Sequence, residues 1–213
     1  MNTNFEPVME ALFATLVGAA TIGFTAQAQA GNATLLAPST IAGLFPGLPV
    51  FGVGTAQGTT IAAVAADGSS ITLSDAMTTD TVNGDTGFIT GFNQTGRRVK
   101  HWNDKTLQQP ALFLRRVGVT DEDQEPFTVT TLHCEAWIYC DAGQDPDIAP
   151  DSVLTCLEQM IRTALQPGPT DGDGRFTLGG LVYWCRIQGH SPVSPGDQGP
   201  QAKTVIPILI TLP

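Results

Sequence analysis

Basic residues are scarce in this sequence, and none occurs before Arg97. Charged residues of both signs occupy only 14% of the 213 positions, whereas roughly 25% is typical of a soluble domain. The formal net charge is −10. Because gripping a phosphate backbone requires clustered Lys and Arg, this balance argues against a protein that binds nucleic acid. A surface with so few charges is typical of chains that assemble with other chains.

Uninterrupted apolar runs are also missing. No run reaches the ~20 residues needed to span a bilayer, so we expect no membrane role. Residues 11–30 are apolar and end in alternating Ala and Gln, as a secretory signal does, but Glu6 and Glu10 stand where such a signal needs positive charge. We expect an amphipathic helix there instead, with Asn4 as its N-cap. Its apolar face would consist of residues that recur at helical spacing, namely Phe5, Val8, Met9, Leu12, Phe13, Leu16 and Val17.

Metal-binding and catalytic patterns are absent too. The four cysteines lack the spacing of paired metal ligands, and the three histidines are scattered, so we expect free thiols and no metal or cofactor. His133, Cys134 and Glu135 are neighbours in a predicted strand, where Cys134 would face away from the other two. They therefore do not form a nucleophile and base, and we expect no enzymatic activity.

Residues 23–95 contain no Lys, Arg or Glu and are rich in Gly and Thr. Asp67-Gly68 and Asn83-Gly84 are hairpin signals between β-branched runs. We predict an inserted, small all-β domain, a short barrel or sandwich. Its predicted strands cover 48–54, 59–64, 70–74 and 88–90.

The remainder, residues 1–22 with 96–213, is predicted to form one α+β domain. Its architecture is a mainly antiparallel β-sheet flanked by two helices. The second helix should span 150–165, because Pro150, Asp151 and Ser152 open it and Pro167 ends it. Strands are predicted at 98–102, 110–115, 127–142, 176–188 and 203–212.

Several segments of this domain resemble a known family when taken in order. They are 5–13, 97–102, 108–114, 137–139, 177–183 and 185–189. Their succession is similar to that of the tail terminator proteins of long-tailed bacteriophages. Residues 23–95 depart from that family's pattern, since they stand where a short connection is usual.

The resemblance implies a structural virion protein without catalytic activity. Such a protein forms a ring, commonly a homohexamer, that caps the viral tail tube, stops tube polymerisation and joins the tube to head-completion or connector proteins. DNA would pass through the ring without specific binding. The resemblance also implies assembly in the host cytoplasm and a final place in the virion tail.

An acidic segment supplies candidate functional residues. Asp121, Glu122, Asp123 and Glu125 are predicted to form a loop between a strand that ends at Arg116 and another that begins at Phe127. Such a loop would either line the DNA channel, where carboxylates repel phosphates, or pair with Arg115 or Arg116 of an adjacent subunit. The segment from Asp141 to Asp151 is a second candidate for the channel wall.

An exported, β-rich adhesion or carbohydrate-binding protein is the alternative function. It is favoured by the signal-like N-terminus and by the neutral module at 23–95. A mature N-terminus at Gly31 would favour this alternative, whereas an intact Met1 or Asn2 would favour the virion protein.

Overall fold

The computed structural model describes residues 4–56, 59–80, 86–101, 104, 106–124, 127–141, 151–168, 174–194 and 201–213. The chain forms two compact units. The α+β unit comprises Met1–Ala20 and Gln94–Pro213, and the β unit comprises Thr21–Asn93. The α+β fold class is confirmed, with two helices and mostly antiparallel sheets among the described residues.

The elements follow one another along the chain in this order. They are α1 (Glu6–Ala19), β1 (Ile22–Ala26), β2 (Thr34–Leu36), β3 (Val50–Gly52), β4 (Ile61–Val64), β5 (Ser70–Leu73), β6 (Thr86–Thr90), β7 (Gln94–Gly96), β8 (Ala111–Gln124), β9 (Phe127–Asp141), α2 (Asp151–Ala164), β10 (Trp184–Ile187), β11 (Val193–Ser194) and β12 (Gln201–Thr211).

The β unit consists of two three-stranded antiparallel sheets, β1-β6-β3 and β2-β5-β4. Isolated bridges from Gln27 to Leu36 and from Pro49 to Thr60 link the edges of the two sheets. The six strands therefore follow one another around a closed ring, as in a short barrel, which is one of the two forms predicted from the sequence. Asp67-Gly68 turns the chain between β4 and β5, with Gly68 at φ 75°. Asn83-Gly84 lies outside the described residues.

The α+β unit is built on a six-stranded sheet. Its strand order is β10-β12-β9-β8-β7, and β11 pairs with the other end of β12. All pairs are antiparallel except β7 with β8. Burial alternates along β9 and β12, because successive side chains point to opposite faces of a sheet. One face carries the fully buried set Leu132, Ala136, Ile138, Ile206, Ile208 and Ile210.

Helix α1 covers part of this buried face. Pro7 lies in its first turn. The N-cap position is Phe5 and not the predicted Asn4, although Asn4 Oδ1 accepts a hydrogen bond from the Glu6 backbone N–H at 3.1 Å. Its buried side chains are Val8, Met9, Leu12 and Leu16, all within the predicted apolar stripe. The Met9 sulfur lies 3.4 Å from the Cys134 sulfur of β9.

Helix α2 lies on the same face and also contacts α1. Its bounds, Asp151–Ala164, are within one residue of the predicted 150–165. Leu154, Leu157 and Ile161 recur at helical spacing and are fully buried. Neither of the two described helices is long and apolar enough to cross a membrane.

A second, smaller core lies on the opposite face of the sheet. Ala111, Phe113 and Tyr139 are buried there, and Val99 and Leu107 of the connection between β7 and β8 pack against them. The rings of Phe113 and Tyr139 meet edge to face, with centroids 6.0 Å apart. The connection thus covers one end of this face.

Two predicted strands and one predicted loop are wrong. Of the strand predicted at 98–102, the described residues 98–101 form no strand, because this stretch bends and Lys100 Nζ donates to the Thr106 backbone oxygen at 3.0 Å. The run 176–188 is extended only at β10, because Leu178, Gly179 and Gly180 have positive φ and turn the chain. The acidic segment, predicted as a loop, continues β8 as far as Gln124.

Candidate functional site

The long hairpin of β8 and β9 extends beyond the rest of its sheet. Strand β12 pairs with β9 only from Thr131 onward, and β7 pairs with β8 only over Ala111–Phe113. Residues Thr120–Gln124 and Phe127–Thr130 therefore pair with each other and with no further described strand. At the base of these segments the Leu212 backbone N–H, directly after β12, donates to the Thr130 oxygen at 2.9 Å. We call these two segments the hairpin arm.

The hairpin arm is acidic. Asp121, Glu122 and Asp123 are all exposed in β8. The hydroxyls of Thr130 and Thr128, which stand opposite on β9, donate to Asp121 at 2.8 Å and to Asp123 at 2.9 Å. No basic group of the described residues forms an ion pair with these three carboxylates. Glu125, the fourth predicted residue, lies outside the described part of the chain.

Arg115 is held within its own chain. Its guanidinium pairs with Glu135 at 2.8 Å and lies over the Trp137 ring, 5.0 Å from the centroid. The Trp137 indole N–H donates to the same Glu135 oxygen at 2.8 Å. Cross-strand pairing explains this cluster, since Arg115 stands opposite Glu135. The structure does not bring Arg115 to the acidic residues of the hairpin arm.

Arg116 points to the helix-covered face, where its guanidinium carbon lies 5.5 Å from the centre of the Phe5 ring. A β-bulge follows, because the register shifts between Arg116 and Gly118. The bulged residue Val117 has no partner on β9 in the pairing and is 54% exposed. An apolar side chain is thus presented at the base of the hairpin arm.

A cavity lies beside the β10 edge of the sheet. Its volume is about 500 Å³, and its walls come from the end of α2, from the segment before β10 and from β10 itself. The lining residues are Leu165, Pro167, Gly174, Arg175, Phe176, Trp184, Cys185 and Arg186. The Cys185 backbone N–H donates to the Phe176 oxygen at 2.8 Å, which holds that segment along the outer edge of β10.

Two arginines give this cavity its positive charge. Arg186 lies over the Trp184 ring, with its guanidinium carbon 4.1 Å from the centroid, and both Arg175 and Arg186 are exposed. Within the described ranges neither guanidinium forms an ion pair. The turn that precedes β10 adds exposed apolar surface, because Leu181 is 45% and Tyr183 54% exposed. We call the cavity, with its residues Arg175, Phe176, Trp184 and Arg186, the arginine pocket.

Two cysteines of the six-stranded sheet, Cys134 of β9 and Cys185 of β10, have buried thiols. Burial raises the pKa of Cys134 and of Cys185 to about 12. Thiols of this kind are poor nucleophiles, because the reactive form is the thiolate. The His133 side chain is on the face of the sheet opposite to Cys134, as strand geometry predicts. Its Nε2 lies 2.9 Å from the Thr120 hydroxyl and is not directed at Cys134. All four cysteines, which lie within the described residues, are free thiols.

The arginine pocket was missed in the sequence. Arg175 and Arg186 are two of only ten basic residues, and each is next to or near an aromatic residue. This proximity of Arg to aromatic residues is the one sequence feature that could have indicated the pocket. The second acidic candidate runs from Asp141 to Asp151, and its residues 142–150 lie outside the described part of the chain. Asp141 is the last residue of β9 and Asp151 is the first of α2. No group of His, Cys, Asp and Glu able to hold a metal ion occurs in the parts of the chain that are described.

The comparisons with known proteins add no family to this picture. No protein-family model matches the chain, and no curated protein matches its sequence.

Proposed function

We propose that this chain is a structural subunit of a long-tailed bacteriophage that forms a ring, caps the tail tube and joins it to the connector proteins. The observation that carries the proposal is the hairpin arm, whose outer edges, apart from the Thr130 oxygen that accepts from Leu212, have no partner strand among the described residues. Open strand edges of this kind are template surfaces for pairing or docking with another chain. A projecting arm is well suited to joining neighbours in a ring.

The surface composition supports the same function. Charged residues make up 14% of the chain, and large apolar side chains such as Val117, Leu181 and Tyr183 stay exposed. The fully buried centre of a protein interface is depleted of charge and enriched in Tyr, Trp and Arg. These features favour a protein that works in an assembly, and they agree with the order of segments that resembles tail terminator proteins.

Native mass spectrometry and negative-stain electron microscopy test the proposal. We expect closed rings of about six 22.4 kDa subunits, and immunogold labelling of isolated tails should mark one end of the tube. A protein that stays monomeric at micromolar concentration, or a label spread along the tube, would contradict it.

N-terminal sequencing of protein purified from cells serves as the control for the alternative function. An N-terminus at Met1 or Asn2 agrees with a virion protein. An N-terminus at Gly31 would instead favour an exported adhesion or carbohydrate-binding protein. It would also remove α1, whose Leu12 and Leu16 are fully buried.

A further inference from the structure

We propose that the hairpin arm of one copy docks in the arginine pocket of a neighbouring copy. This inference rests on the proposed ring, for which it names the contact between subunits. The contact would bring Asp121 and Asp123, which point to the same face of the hairpin arm, to Arg175 and Arg186 of the next subunit.

The two arginines of the arginine pocket have no ion-pair partner among the described residues. Arg97 pairs with Glu6 and Glu10, Arg115 with Glu135 and Arg162 with Glu158. Arg175 and Arg186, in contrast, form no ion pair in the described ranges and both face the cavity. A guanidinium presents five N–H donors in a planar fork, so stacking on an aromatic ring leaves its edge free to bind carboxylates.

The acidic side has a matching excess. Asp121 and Asp123 are exposed on one face of the hairpin arm, and their described hydrogen bonds come from the hydroxyls of Thr130 and Thr128. Each carboxylate has about four lone-pair sites, so one hydroxyl leaves most of its accepting capacity unused. Charge-assisted bonds to Arg are stronger than neutral ones and are frequently bidentate.

Apolar surface accompanies the charges on both sides. Val117 and Val119 are 54% and 39% exposed at the base of the hairpin arm, and Leu181 and Tyr183 are exposed beside the arginine pocket. The cavity of about 500 Å³ has room for several side chains, since a water occupies roughly 30 Å³ of liquid. Trp, Tyr and Arg are the residues most enriched at binding hot spots. The composition is therefore that of a protein interface.

The two surfaces also lie on different parts of the sheet. The hairpin arm continues β8 and β9, whereas the arginine pocket lies beyond β10, with β12 between them in the strand order. No ion pair joins the arm to the pocket of the same chain among the residues described. A contact between two different surfaces is heterologous, and repeating it closes a ring when the rotation permits.

Charge exchange between two variants tests this contact. The arm variant carries Asp121→Lys and Asp123→Lys, and the pocket variant carries Arg175→Glu and Arg186→Glu. Each alone brings like charges together at every contact, so we expect its native mass to fall from the ring to 22.4 kDa. Mixed in equal amounts, each arm meets an oppositely charged pocket, and rings should return.

The outcomes separate this inference from the proposed function. A wild-type protein without rings would overturn both. Wild-type rings together with unaffected rings in both variants would overturn the arm-to-pocket contact and leave the ring in place. Loss of rings without recovery on mixing would also overturn it, provided that circular dichroism shows both variants folded.

A cross-link covers the case in which a variant fails to fold. The double variant Asp123→Cys with Arg186→Cys should give a ladder of disulfide-linked species under mild oxidation, running up to the full ring. All variants carry Cys156→Ala, because Cys156 is only partly buried. Each single variant is the matched control and should give no ladder, because the remaining native Cys134, Cys140 and Cys185 are buried. A double variant that stays monomeric on a non-reducing gel would contradict the proposal.

Discussion

Cys134 and Cys185 link the stability of the α+β unit to pH. Both thiols are buried, at 2% exposure each, and burial raises each pKa from 9.0 to about 12. A pKa raised in the folded state means that unfolding releases protons above the ordinary thiol value. The stabilising contribution is complete below pH 9 and declines as the pH rises toward 12.

We predict that the free energy of unfolding declines by about 1.4 kcal/mol per pH unit for each of these thiols between pH 9 and 12. Urea titrations at several pH values measure it. The double variant Cys134→Ala with Cys185→Ala should lose this part of the slope, while Cys156→Ala, a less buried site, should lose little. Equal slopes in wild type and double variant would show that these thiols do not govern the alkaline loss.

At the scale of elements, helix α1 carries a glycine that its packing does not require. Gly18 lies near the end of α1, and a Cβ atom placed there would meet nothing within 4 Å. Replacing Gly by Ala in a helix lowers the entropy of the unfolded chain and improves helix propensity.

We predict that Gly18→Ala raises the free energy of unfolding by about 0.5–1 kcal/mol. Thermal unfolding followed by circular dichroism measures the change. Gly54→Ala is the contrasting variant, because Gly54 has φ 83° and an added Cβ would collide with Thr79 Oγ1. A Gly18→Ala protein that melts no higher than the wild type would contradict the prediction.

The two helices were predictable because their signals are local. Buried residues of α1 and α2 recur every three or four positions. Asn4 and Pro7 indicate the start of α1 in the sequence, and Pro167 indicates the end of α2. The strand after Arg116 was not predictable in the same way. Asp and Glu are disfavoured in strands, yet Thr128 and Thr130 stand opposite Asp123 and Asp121 and donate hydrogen bonds to them. Such pairing is decided by residues across the hairpin.

The arginine pocket shows a second limit of local patterns. Its walls come from three separate stretches, near Leu165, Arg175 and Arg186, and nothing in any one stretch indicates the cavity. Likewise, no local pattern indicates that Glu135 and Trp137 hold Arg115 within its own chain. The sheet register, which brings these side chains together, depends on contacts distant in sequence.

At the scale of the whole molecule, the β unit has a core of its own. The rings of Phe24 and Phe88 stack with centroids 5.5 Å apart, and Leu35, Ile61 and Ile71 are at most 1% exposed. Because this core is formed within one contiguous stretch, the β unit has the attributes of an independently folding domain.

We predict that replacing residues 21–93 by a Gly/Ser bridge leaves a soluble α+β unit that unfolds cooperatively. The matched experiment expresses residues 21–93 alone, which should give a β-type circular dichroism spectrum and a single melting transition. Cooperative denaturation of both pieces, compared with the full chain, is the measurement. Aggregation of the shortened chain would indicate that the two units share a core.

The split α+β unit also dictates an order of events during synthesis. Helix α1 leaves the ribosome before the β unit, whereas β8, β9 and α2, which contact α1, follow the whole β unit. At ~5–20 residues per second, roughly 5–20 s pass between the end of α1 and the start of β9. The β unit can close in that interval, while the apolar stripe of α1 waits uncovered. During this interval the nascent chain thus carries a folded domain joined to a helix whose apolar side chains Leu12 and Leu16 have not yet been buried.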